Sequence, residues 1–111
     1  MTRLLKGAKL VQIKITMTNY IVKVQLNSGS AIDYEFLHSF MKGVGFKKTI
    51  TSANDLTYQL APNEYYISSN FDSAQIFEMA STAANRTAKK FEVLVIKTEE
   101  VMWSELFELV F

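Results

Sequence analysis

Residues 20–46, YIVKVQLNSGSAIDYEFLHSFMKGVGF, read as a strand, a turn and an amphipathic helix. From Asn19 to Leu26, β-branched and aromatic side chains alternate with others, setting Tyr20, Val22, Val24 and Leu26 on one face and Ile21, Lys23 and Gln25 on the other. That is the pattern of a half-buried strand. The turn from Asn27 to Ala31 holds Ser28, Gly29 and Ser30, and Ser30 or Asp33 can cap a helix that starts near Ile32. Phe36, Leu37, Phe40, Met41 and Val44 then recur at helical spacing, which puts the only histidine, His38, off the main apolar stripe. Gly43 and Gly45 stop the helix.

Before this unit, Leu10–Ile15 alternates as an extra edge strand would, so residues 1–16 read as a basic leader or as that strand, and residues 17–111 as a single domain. After it, FKKTITS reads as a second strand that resumes, past a polar interruption at SAND, over Leu56–Leu60; a bulge and a tight turn both fit. APNE places Pro62 and Asn63 at central turn positions, which predicts an antiparallel hairpin with EYYISSN and turns either Tyr65 or Tyr66 inward. Asp72 or Ser73 caps a second helix whose apolar face is Ile76, Phe77, Met79, Ala80, Ala83 and Ala84. NRTAKK is a basic loop, FEVLVIKT an interior strand, and Thr98 caps a short C-terminal helix that packs Trp103, Leu106, Phe107 and Val110. The order predicts an α+β domain, a ferredoxin-like βαββαβ sandwich with an antiparallel sheet and two helices on one face.

The chain has 111 residues, of which 49% are hydrophobic and 21% charged, enough for one core and unlike a disordered segment. With no cysteine and one histidine, disulfide frameworks and thiolate metal sites are excluded, and no metal site is expected. The net charge of +1 gives no strong global field, so contact with nucleic acid has to come from local basic patches. Lysines break up the apolar positions near the start, and no run reaches the roughly twenty apolar residues of a membrane helix. A cytoplasmic protein without membrane insertion is expected.

NYIVKVQL as first strand, FLHSFMKGVGF as helix and turn, QLAPNEYYISSNFDSAQI entering the second helix and VLVIKTEEVMWSELF at the end together resemble the GhoS family. These are the antitoxins of bacterial type V toxin–antitoxin pairs, related in shape to the CRISPR-associated Cas2 ribonucleases. The resemblance spans roughly Thr18 to Phe107. It implies a ferredoxin-like endoribonuclease that binds and cleaves the messenger RNA of a small membrane toxin, with no cofactor. In that family an arginine on the first helix is linked to activity, and His38 occupies the matching place here. Where the Cas2 ribonucleases carry an aspartate at the end of the first strand, this chain has Asn27 and Ser28, which does not support a metal-dependent mechanism of that kind.

His38 is thus the candidate catalytic base near neutral pH, with Lys42, Lys47, Lys48, Arg86, Lys89 and Lys90 as candidate RNA-phosphate contacts. Each has a plain alternative: a packed histidine, and lysines that solvate a surface. Tyr65 or Tyr66 can stack a base or fill the core. Asp33, Glu35 and Asp72 read as capping and solvated carboxylates. The alternative function is a non-catalytic interaction module, a homodimer among its forms, built on a sheet edge or on the apolar Leu106–Phe111 end.

Overall fold

The computed structural model describes residues 16–52 and 54–99, and the backbone of residues 107–109. The chain runs β1 (Thr18–Leu26), α1 (Ala31–Gly43), β2 (Thr49–Thr51), β3 (Thr57–Gln59), β4 (Glu64–Ser69), α2 (Ser73–Asn85), β5 (Phe91–Thr98) and β6 (Phe107–Leu109). It is an α+β structure with two helices and two antiparallel sheets, ordered β4-β1-β5 and β2-β3-β6.

β1 is the centre of the larger sheet. Its even-numbered side chains, Tyr20, Val22, Val24 and Leu26, are buried, while Lys23 and Gln25 are exposed. Cross-strand pairing carries that face outward, because directly paired residues project to the same side. Val22 pairs with Tyr65 on β4 and Val95 on β5, and Tyr20 pairs with Ile67. Onto this face pack Leu37 and Met41 of α1 and Ile76, Ala80, Ala83 and Ala84 of α2, forming one core. The alanines let α2 lie close to the sheet.

Both helices start with a capping box. Ser30 receives the Asp33 amide at 3.3 Å, and the Asp33 carboxylate receives the Ser30 amide at 2.9 Å; Asp72 and Gln75 repeat the arrangement. α1 ends with Phe46 N–H donating to Met41 O at 3.0 Å and Gly45 N–H donating to Lys42 O at 3.1 Å. Those two bonds make a Schellman motif, which requires the positive φ of 106° that Gly45 supplies. Gly43 is simply the last helical residue. The motif drops Phe46 into the core beside Met41.

Several expectations change. The inward stripe of α1 runs through Tyr34, Leu37, His38 and Met41, so His38 is half-buried rather than off the stripe, and Phe36 and Val44 are exposed. The helix has rotated toward its aromatic and histidine edge, where core hydrogen bonds are available. On α2, Phe77 is exposed, outside the expected apolar face. The interruption at SAND is a tight turn: Asp55 takes a φ of 64° and Ser52 N–H donates to Leu56 O at 2.8 Å, closing a β2–β3 hairpin.

The hairpin expected across APNE is reduced to one bridge, in which Lys47 and Tyr66 exchange two backbone hydrogen bonds of 2.8 Å. The next residue faces the other way, and Lys48 O accepts from Leu60 N–H at 2.8 Å. Alternate residues of a strand bond to opposite sides, so the chain leaves β4 and pairs with β3 instead. The order is therefore βαβββαββ rather than βαββαβ. β5 is not interior: among the described residues it pairs only with β1, and its outer side chains Leu94 and Ile96 are exposed. Phe107–Leu109 is a strand on β3 where a C-terminal helix was expected; the run also alternates with period two, and pairing to an open edge selects that reading. The expectations for residues 1–15, Trp103, Leu106 and Val110 lie outside the described residues.

The two glycines at the end of α1 respond oppositely to alanine. Gly43 is helical with open space at its Cβ position, so Gly43→Ala raises stability by about 0.5–1 kcal/mol. Gly45→Ala forces a β-carbon into the left-handed region and lowers stability by roughly 1 kcal/mol. Denaturant melts of the two variants check the signs.

Candidate functional site

The Schellman end of α1 and the Lys47–Tyr66 bridge bring the last turns of α1 against the strand that follows. Between them lies a cleft of about 440 Å³ lined by His38, Ser39, Lys42, Phe46, Lys47, Lys48 and Thr49. His38 and Lys42, four residues apart, share one helix face, and the two strand lysines approach it from the other wall. Four of the expected site residues thus meet in one place.

The other three lie elsewhere. The Arg86 guanidinium sits 4.2 Å over the ring of Phe40, Lys89 is 3.8 Å from the Asp33 carboxylate, and Lys90 lines a different cleft with Asn27 and Ser28. The basic loop after α2 therefore braces the flank and start of α1 instead of extending the cleft.

Tyr65 is the residue that sequence reasoning left undecided. It is fully buried, and its hydroxyl shares a hydrogen bond with Nδ1 of His38. The two rings meet edge to face at 5.7 Å between centroids, and Phe46 meets the same tyrosine at 6.4 Å. The Lys48 ammonium stands 4.5 Å over the Tyr65 ring, donates to Glu64 O at 2.6 Å and also donates to Ala61 O. Lys48 thereby closes the Ala61–Glu64 turn while lining the cleft. The signal in the sequence was the parity of β4: once Val22 faces inward, its cross-strand partner Tyr65 must as well, and Tyr66 takes the outer face.

Burial and the neighbouring cation set the protonation states. Burial first, then the Lys48 charge, hold the His38 imidazole below its ordinary value, with Glu35 pulling weakly the other way. Burial pushes the Lys48 ammonium down to about 8 against the pull of Glu64, and it pushes the Tyr65 phenol up, so Tyr65 stays protonated. The cleft thus offers a neutral imidazole beside lysines. Among the described residues, no group of three or more histidines, cysteines or acidic residues is placed to hold a metal ion, and no helix is long and apolar enough to cross a membrane.

The depressed imidazole gives a signed stability effect. Below the ordinary value of 6.5 the unfolded chain binds the proton more readily than the fold does, so stability is lost as pH falls through that region. His38→Gln removes the titration, and its thermal midpoint should fall less than that of the wild type between pH 7 and 5. Parallel midpoints across that window contradict the assignment.

No curated protein matches the chain in sequence. The family model described as "Endoribonuclease GhoS" does, over residues 14–105, a span containing β1 to β5 and every residue of the cleft. By that match over most of its length, the chain belongs to the GhoS endoribonuclease family.

Proposed function

We propose that the chain is a GhoS-like antitoxin that binds single-stranded RNA and cleaves the messenger of a small membrane toxin in the cytoplasm. The observation that carries this reading is the convergence of His38 with Lys42, Lys47 and Lys48 on one cleft. Phosphate contacts from lysines supply affinity without sequence information, and a histidine within the same cleft can handle a proton at the scissile phosphodiester. Arg86, Lys89 and Lys90 do not line this cleft. The ferredoxin-like reading of the fold belongs to the same proposal: β5-β1-β4 with the Lys47 bridge at the edge follows the strand order of the split βαβ arrangement.

The reaction is transesterification. The 2′-oxygen of the ribose loses its proton and attacks phosphorus, the bond to the 5′-oxygen breaks, and that oxygen takes up a proton. The products are a 2′,3′-cyclic phosphate and a 5′-hydroxyl. His38 is the acid–base residue, and the lysines stabilise charge on the phosphorane.

His38→Ala should lower cleavage of a single-stranded RNA by about 10²–10⁴-fold, with the cyclic phosphate detected on wild-type products. Full activity in that variant sinks the assignment. Replacing Lys42 or Lys47 by glutamine should weaken RNA binding across sequences and reduce the salt slope by about 0.7 for each phosphate no longer neutralised.

A second reading, an interaction module without catalysis, is favoured by one observation. Leu94 and Ile96 stand exposed on β5, which pairs on one side only among the described residues. Sedimentation of a dimer indifferent to RNA would support it.

A further inference from the structure

The Tyr65 hydroxyl is a polar atom placed inside an apolar core. Its ring is held by Phe46 on one edge, by the Lys48 ammonium above its plane and by His38 at the hydroxyl end. The backbone pairing of β4 with β1 fixes the tyrosine from behind. A buried O–H without an acceptor costs about 1–3 kcal/mol. Phe46 and a lysine ammonium accept nothing, whereas Nδ1 of His38 is in contact and can accept.

We propose that Tyr65 is a positioning residue for the proposed RNA cleavage: its hydroxyl donates to Nδ1 of His38 and holds the imidazole in the Nε2–H tautomer. With Nδ1 turned to the core, Nε2 is the nitrogen left to the cleft. In this tautomer His38 meets RNA as a hydrogen-bond donor to a phosphoryl oxygen, where negative charge develops in the transition state. Nε2 becomes a base only when the proton moves to Nδ1 and the hydroxyl swings from donor to acceptor. That swing strands the phenol proton, so Tyr65 limits the basicity of the residue expected from sequence to act as the base.

The charged and titratable groups around the imidazole fit a neutral resting state. On its own helix are Tyr34, with ring centroids 6.5 Å apart, Glu35 and Lys42; across from it are Lys48 and Tyr65. A proton added at Nδ1 would meet a hydroxyl already pointing its own proton there, and burial and Lys48 oppose the same charge.

This inference rests on the proposed function for its meaning but not for its test. Because the chain has one histidine, nitrogen-15 spectra of the imidazole report His38 alone. Wild type above its imidazole midpoint should show the Nε2–H tautomer, with Nδ1 shifted as a hydrogen-bond acceptor. In Tyr65→Phe the neutral form loses its donor, so the imidazole midpoint should move up. A wild-type Nδ1–H tautomer overturns the proposal without any variant, and so does a midpoint that stays fixed or moves down in a folded Tyr65→Phe. A protein that cleaves no RNA defeats the proposed function, while the tautomer and the midpoint still decide the role of Tyr65.

Discussion

Burial of the even-numbered face of β1 is the constraint on which everything else rests. A strand with neighbours on both edges has no freedom of register once one face is apolar, because a slip of one residue would exchange Val22 and Val24 for Lys23 and Gln25. With that face fixed, the partners on β4 and β5 are assigned to it, both helices have one surface to cover, and the position of Tyr65 follows. His38 in the cleft is therefore located by the packing of α1 and β4 on that face.

The parts of this arrangement that depend on local chemistry could be read from the sequence. Ser30 with Asp33, Gly45, the alternation of Tyr20–Leu26 and the small-residue face of α2 each carry their own physical cause. What could not be read depends on competition between partners. The rotation of α1 toward Tyr34 and His38 follows from the hydrogen-bonding tyrosine on β4, which no helical periodicity encodes. β3 taking the place of β4 beside β2, and Phe107–Leu109 becoming a strand, follow from which edge is open when the chain arrives. Convergence of Lys42, Lys47 and Lys48 was partly legible, since the stop at Gly45 sets them close in space. Separation of Arg86 and Lys89 was not, because Phe40 and Asp33 compete for them across the helix.

The candidate site places one imidazole where burial and the neighbouring Lys48 ammonium lower its affinity for a proton. The residues around it also have structural tasks. Tyr65 fills the core, and Lys48 ties off the carbonyls of the turn before β4. Such double use makes the site sensitive to changes made for packing alone.

The junction between the two sheets has a mechanical meaning. Among the described residues, the paired amides of Lys47 and Tyr66 and the bonds from the Lys48 ammonium to the Ala61 and Glu64 carbonyls tie the root of the β2–β3 hairpin to the start of β4. One wall of the cleft is the root of that hairpin, so any displacement of the hairpin against α1 would change the width of the cleft.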